Sequence, residues 1–374
     1  MPLQFKTRPT HAYIDLDALA SNFHATRQFV GPDLRYMAVV KADAYGHGAV
    51  ECSRRLEAEG VDWFGVAIPE EGVELRQAGI KKPILCLGSF WPGQEEILLG
   101  HALTPVIFDL NTANRLNDLA AKRDLPVVIH VKIDTGMGRV GIRHDAVASF
   151  ANALKQFSNL RVDGLLTHFA SAENPGEDDF TALQIGLFNK ACDEFRRAGH
   201  SPEIFDLANS PGAIIHPDSR GNLVRLGGAL YGLLDDILHH ETERPELMPV
   251  LSLCSSIASI KRLPAGESLG YGRTFITKRE SLIALVPIGY ADGYPRVLSN
   301  KGKVVINGIA VPVVGRISMD WTLVDVTDVP SPTVGDKVVL IGGEILAADI
   351  ARESGTIGYE ITCGISPRVP RIYE

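Results

Sequence analysis

Eight short apolar runs recur along the first two thirds of this chain, each followed by a longer amphipathic stretch: MAVVKA, WFGVAI, PILCLG, LTPVIF, VVIHVKI, VDGLLTHF, IFDLANS and NLVRLGG. Runs of this kind read as strands, and the stretches between them as helices. DLNTANRLNDLAAKRD starts at a capping Asp109 and carries Leu116 and Leu119 on one side; FTALQIGLFNKACDEFRRAG ends in basic residues and then Gly199, a helix stop. An open doubly wound sheet also alternates in this way. Eight strand–helix repeats over roughly 230 residues match an α/β fold of the (β/α)8 TIM-barrel type better. The texture changes at HHETERPELMP, a charged, proline-bearing linker. Beyond it LSLCSSIASIKRL, SLIALVPIGYAD, KVVINGIAVPVVGRISMDWTLVDV and KVVLIG are β-rich runs cut by Gly, Asn and Pro turns, with one helical stretch, ILAADIARESG. The expectation is a barrel over 12–246 and a smaller, mostly β domain over 247–374, joined by residues 1–11. The chain's 374 residues exceed what one core usually serves, which agrees with two domains.

The net charge of −8 carries no long run of one sign, which argues against nucleic acid or an anionic membrane as partner. No stretch approaches the roughly 20 apolar residues of a membrane span, and the start, MPLQFKTRPTHAYIDL, does not resemble a signal peptide. Five cysteines at scattered spacings argue against a disulfide framework and against a metal cluster. A reduced, cytoplasmic protein without a metal is expected.

In a barrel, chemistry gathers at the C-terminal ends of the strands and on the loops that follow. Lys41 follows the first run, with Tyr45 close by. A lysine there either snorkels to solvent or is held for chemistry, because lysines are seldom buried unpaired. Arg139 lies in DTGMGRVG after VVIHVKI, His168 ends GLLTHF, Asn209 and Ser210 follow FDLA, and Arg225 in NLVR precedes Gly227 and Gly228. Singly, each has an ordinary explanation: a hydrogen-bonded histidine, a surface arginine, a glycine turn. Together they set cations, a hydroxyl and unobstructive glycines on one rim. The glycines and Ser210 suit a phosphate, and the amine of Lys41 can form a Schiff base with a carbonyl. That combination points to pyridoxal 5′-phosphate.

At these residues the sequence resembles the alanine racemase family. VVKADAYGHGA resembles its pyridoxal-phosphate attachment site; KIDTGMGRVG, GLLTHF, ANSPGAI, VRLGGALYGL, LGYGRTF, VGRISMD and TIGYE…SPRVPRIY follow in family order, from about residue 11 to the C-terminus. The resemblance implies a barrel-plus-β homodimer with shared active sites that interconverts L-alanine and D-alanine, supplying D-alanine for peptidoglycan. It implies that Lys41 holds the cofactor and serves as one acid/base, with Tyr271 of the partner subunit as the other, on the opposite face. A phenol acts as a base near neutrality only where positive charge or hydrogen bonds favour the phenolate. The resemblance supplies these through His168 and Arg225, the latter facing the pyridine nitrogen. An arginine stays protonated, so it donates to that nitrogen without protonating it. The ring is then a weaker electron sink, which disfavours side reactions such as transamination. The related barrel-plus-β decarboxylases place an acid there, so the Arg in LVRLGG argues against that activity.

By the same resemblance Arg139 contacts the cofactor hydroxyl and the substrate carboxylate, a group its fork suits. Tyr45, Asn209, Ser210, Gly227, Gly228 and Tyr359 resemble cofactor-binding positions, mostly at the phosphate, while Met319, Asp320 and Tyr290 resemble substrate and entrance positions. For Lys132 two readings stand: pairing with a nearby carboxylate such as Asp134, or reaction with carbon dioxide to a carbamate that orients Arg139. Ser318 stands where a cysteine is common, Pro367 where an aromatic is common, and Gly228 where a larger apolar residue is common. None removes a catalytic group, but the first bears on substrate preference. A racemase of broader range that includes serine is therefore the runner-up. A non-catalytic pyridoxal-phosphate carrier is the alternative of another class; residues 247–374, with Tyr271 and Met319, speak against it.

Overall fold

The computed structural model describes residues 8–233, 238 and 243–374; residues 239–242 of the expected linker and residues 1–7 of the expected N-terminal join lie outside the described residues. The chain divides into two compact units, one of Leu19–Ala44 with Gly48–Met248, the other of the described residues through Ala18, Tyr45–His47 and Pro249–Glu374. Strand β1 (His11–Ile14) belongs to the second unit, and helix α1 (Leu16–Val30) leads into the first.

The first unit alternates as the apolar runs require: β2 (Arg35–Val39), α2 (Lys41–Gly46), α3 (Ala49–Ala58), β3 (Trp63–Val66), α4 (Pro69–Gln77), β4 (Ile84–Cys86), α5 (Glu95–Gly100), β5 (Thr104–Ile107), α6 (Leu110–Arg123), β6 (Val127–Asp134), β7 (Ile142–Arg143), α7 (Val147–Leu154), β8 (Leu160–Leu166), α8 (Asp178–Arg197), β9 (Ile204–Asp206), α9 (Ser210–Ile215) and β10 (Leu223–Leu226). Strands β5, β4, β3, β2, β10, β9, β8 and β6 pair in that order, and β5 pairs with β6, closing an eight-stranded parallel barrel. Met37, Leu85, Val106, Leu166, Ile204 and Leu223 fill its interior, with Trp63, Leu87 and Phe108 packed against them. This is a layered side-chain core rather than a pore. Helix α6 starts where Asp109 Oδ1 accepts from Thr112 N at 2.8 Å, and turns Thr112, Ala113, Leu116 and Ala120 inward. Helix α8 buries Thr181, Gln184, Phe188, Ala191, Cys192 and Phe195. Its buried glutamine is out of place on an apolar stripe and proves to reach the barrel rim.

One element departs from any propensity reading. The turn α2 is wound left-handed: Ala42, Asp43, Ala44 and Tyr45 have φ of 52°, 53°, 53° and 54°. For L-residues this costs roughly 1–2 kcal/mol each, so the surroundings must hold it. Ala42 N donates to Glu71 Oε1 at 2.7 Å, Ala49 N to Asp43 Oδ1 at 2.7 Å, and Gly48 N to the Asp43 carbonyl at 2.9 Å. The strained turn starts at Lys41.

The second unit continues with β11 (Leu251–Ser256), β12 (Ser259–Leu263), β13 (Ser268–Leu269), β14 (Phe275–Ile276), β15 (Ser281–Val286), β16 (Lys303–Ile306), β17 (Ile309–Pro312), β18 (Thr322–Asp325), β19 (Lys337–Ile341), α10 (Ala347–Ser354), α11 (Gly358–Cys363) and β20 (Arg371–Tyr373). Its main sheet runs β17-β16-β19-β11-β1-β20, beside a three-stranded sheet β12-β15-β18 and the β13-β14 pair. The β16–β17 hairpin turns at Asn307 and Gly308, both at positive φ, as a two-residue Asn-Gly turn demands. Among the described residues no helix is long and apolar enough to cross a membrane.

Candidate active site

Four neighbouring barrel strands, β6, β8, β9 and β10, bring Lys132, His168, Asp206 and Arg225 to one end of the barrel. The Arg225 guanidinium, 4% exposed, is the hub. Nη1 donates to the Asp206 carboxylate and to the Asp206 carbonyl (3.3 Å). Nη2 donates to the carbonyls of Thr167 (3.0 Å) and Leu207 (3.2 Å) and to His168 Nδ1 (3.2 Å). An arginine can only donate, so His168 Nδ1 accepts and the neutral ring carries its proton on Nε2. Burial, then the cations Arg225, Lys132, Arg139 and Lys41, push His168 well below the usual imidazole range, which keeps it neutral at pH 7.

Lys132 is buried and donates to the Thr167 carbonyl at 3.2 Å. The nearby carboxylate is engaged otherwise: Asp134 Oδ1 accepts from Gly136 N (2.9 Å) and Gly138 N (3.0 Å). Burial foremost, with Arg225, Arg139 and Lys41, pulls Lys132 down to about 7 against the opposing effect of Asp206. A sizeable share of the amine is then unprotonated near neutrality. Burial raises the Asp206 carboxyl above the ordinary range, against the pull of Arg225 and Lys132. Around this cluster Thr135 Oγ1 and Thr167 Oγ1 share a hydrogen bond of 2.8 Å, and Thr167 Oγ1 donates to the Ile133 carbonyl at 2.9 Å. Gln184 Nε2 donates to Thr135 Oγ1 and to the His168 carbonyl, each at 3.1 Å.

Beside the cluster, α9 begins at Asn209, whose Oδ1 accepts from Gly212 N at 3.0 Å. Ser210 Oγ accepts from Gly227 N at 2.9 Å, leaving its own O–H to donate. Gly228 follows, buried like Gly227. Lys41 is half-buried and Arg139 exposed; both act electrostatically on Lys132 and His168.

The remaining expected positions lie in the second unit. Tyr45 and Tyr359 pack with ring centroids 5.3 Å apart. Tyr271, 72% exposed, sits between Gly270 (φ 67°) and Gly272 (φ 71°). A cavity of about 440 Å³ is lined by Tyr271, Arg316, Ser318 and Trp321 among others. Tyr290 N donates to the Ser318 carbonyl at 3.1 Å and Ala291 N to the Met319 carbonyl at 3.0 Å. That approach requires Gly289, since a Cβ there would lie 2.2 Å from Ser318 O. Asp320 Oδ1 accepts from Arg368 at 2.7 Å.

Sequence reasoning missed Asp206, Thr135, Thr167, Gln184 and Glu71. Two carried a signal: Asp206 is a carboxylate within an apolar run, and Gln184 is an amide on an apolar helix face.

Comparison with known proteins decides the family. The alanine racemase N-terminal domain profile matches residues 14–235, and the alanine racemase C-terminal domain profile matches residues 250–373. The chain belongs to the alanine racemase family. Like the enzymes of that family, it is an isomerase acting as an alanine racemase. The alanine racemase of Halothermothrix orenii is 43% identical, the match covering 98% of this chain and 97% of that one. The alanine racemase structure from Clostridium difficile superposes with a TM-score of 0.94 at 38% identity, covering 99% of this chain and 97% of that one. An alanine racemase from Bartonella henselae, solved with covalently bound pyridoxal phosphate, superposes at a TM-score of 0.89 and 31% identity, covering 98% of this chain and 100% of that one.

Proposed function

We propose that this chain interconverts L-alanine and D-alanine with pyridoxal 5′-phosphate, as a cytoplasmic homodimer that supplies D-alanine for peptidoglycan. The residues present fit that group. Arg225 has both terminal nitrogens committed to protein acceptors, which leaves Nε–H to donate to a ring nitrogen. Ser210 and the buried glycines beside it suit a phosphate, as does Asn209; Tyr45 and Tyr359 are cofactor-binding positions by the family resemblance alone. Lys41 offers the amine for attachment. When bound, the cofactor supplies an electron sink that acidifies the substrate Cα proton.

In this reading Lys41 Nζ takes or returns that proton on one face, and the phenol oxygen of Tyr271 of the partner subunit does so on the other. Arg225 stays protonated and keeps the ring nitrogen from gaining a proton. His168, neutral and bonded through Nδ1, extends the chain of hydrogen bonds with its Nε2–H. Arg139 takes the substrate carboxylate; Met319 and Asp320 of the partner subunit border the substrate, and Tyr290 its entrance. Lys132 reacts as the free amine with carbon dioxide, forming an N–C bond and releasing one proton; the resulting carbamate accepts from Arg139 and orients it.

The observation that carries this reading is the Arg225–His168 hydrogen bond on the rim of a closed barrel whose family is the alanine racemases. Circular dichroism of L- and D-alanine, each converging on the same racemic end point, tests it; absence of interconversion by the cofactor-loaded protein refutes it. Comparing turnover of L-alanine and L-serine sets the substrate range, because a small pocket rejects an added hydroxyl only about 10²-fold.

A further inference from the structure

Asp206 is completely buried, and one of its oxygens, Oδ2, has no hydrogen-bond partner among the described residues. Buried polar atoms left unpaired are rare and call for a reason. Its strand leaves it no freedom. Asp206 pairs with Leu166 of β8 on one side and Leu223 of β10 on the other, and its carbonyl accepts from Thr167 N at 3.0 Å. Its other carboxylate oxygen accepts from Arg225 Nη1. Arg225 cannot shed its proton, and a neutral partner would leave a buried guanidinium uncompensated. Of the charged groups acting on Lys132 among the described residues — Arg225, Asp206, Arg139 and Lys41 — Asp206 alone is an anion.

We propose that Asp206 is a positioning residue of the racemase site: by clamping Arg225 Nη1 it turns Nη2 onto His168 Nδ1 and Nε–H toward the ligand, and so fixes His168 in its Nε2–H tautomer. The inference rests on the reading of Arg225 and His168 as site residues. Asp206 reaches substrate only through Arg225, so its loss lowers kcat with little change in KM.

The test uses the full-length holoenzyme labelled with ¹⁵N-histidine, the His168 signals being assigned by their loss in His168→Gln. In the unmodified protein Nδ1 gives the shift of an unprotonated ring nitrogen and Nε2 that of a protonated one. In Asp206→Asn the His168 signals become a mixture of tautomers, and kcat falls about tenfold or more while KM for L-alanine stays within about threefold. The proposal is overturned if Asp206→Asn keeps the His168 signals and kcat and loses only thermal stability. It is equally overturned if His168 Nδ1 carries the proton in the unmodified protein, a result that needs no variant to fold. Full activity in His168→Gln sinks the site reading and the proposal together. Loss of activity there, with an unaffected Asp206→Asn, sinks the proposal alone.

Discussion

The barrel rim and the exposed side chains of the second unit solve opposite problems. On the rim Arg225 is 4% exposed and Asp206 fully buried, and Arg225 is held by several acceptors. Charges there act strongly because little water screens them. In the second unit Tyr271 is 72% exposed, Met319 52%, Tyr290 43% and Trp321 42%, and Tyr271 and Trp321 line a cavity. Large apolar side chains gathered and exposed in this way mark a surface that binds something. The contrast teaches that the first set is organised by the chain's own interior, whereas the second is left exposed and, in the proposed function, gains its chemistry only by meeting another surface. In the proposed homodimer that surface is the partner's barrel rim.

The largest effect should come from the interior set. In the proposed mechanism Lys41→Ala removes both the attachment point and one base, so racemisation should fall by about 10⁴ or more, since general acid–base catalysis alone contributes about 10²–10⁴. Circular dichroism of either enantiomer reads it. Undiminished activity would mean that the barrel rim does not hold the reacting amine.

Tyr271→Phe should follow, at about 10²–10⁴. This variant also breaks or sharpens the comparison directly. Mixing Lys41→Ala and Tyr271→Phe chains under conditions that let subunits exchange should restore part of the activity, because a hybrid of the proposed dimer would have one site with both groups intact. Solvent deuterium exchange should fail from opposite enantiomers in the two parents. Hybrid dimers that form and stay inactive would place Tyr271 in the same chain's site or in none.

What the sequence made legible follows from this same division. The barrel strands showed because buried parallel strands are continuous apolar runs, and His168 and Arg225 showed because polar residues ending such runs are conspicuous; Lys132 showed alongside the family resemblance. The left-handed turn at Ala42–Tyr45 did not show. Its residues carry no local preference for that conformation, and what holds it includes Glu71, 29 residues from Ala42 in the chain. Asp206 escaped for a similar reason: its partner Arg225 is 19 residues on, and only the pairing of β9 with β10 sets them together. Gln184 lies on a helix whose apolar stripe concealed it. The exposed set of the second unit was legible only through family resemblance, because exposed tyrosines and methionines have no internal pattern to betray them.

The two regions should also differ in stability. Arg225→Leu leaves the Asp206 carboxylate buried without its partner, which should cost about 3–5 kcal/mol. Arg262→Leu in the second unit breaks an exposed pair with Glu280, worth about 0–1 kcal/mol. Urea denaturation at fixed protein concentration compares them. Equal losses would mean that the Arg225–Asp206 pair is no more integral than a surface contact.

The last effect is read as a slope, and it concerns Lys132. A lysine that titrates at about 7 when folded and near 10.5 when unfolded binds fewer protons in the folded state between those values. Stability must therefore rise with pH across that window, and level off below about 7, where both states are protonated. Lys132→Met keeps a long apolar side chain without the amine, so this contribution to the slope should vanish. The variant should then be more stable than the unmodified protein at pH 6, with the gap closing as pH approaches 10. Bicarbonate adds a second arm. If the free amine forms a carbamate on folding, bicarbonate should stabilise the unmodified protein near pH 8 and leave Lys132→Met unchanged. A stability difference that stays constant from pH 6 to pH 10 would show that Lys132 titrates alike in both states, and would remove the physical basis for its reaction with carbon dioxide.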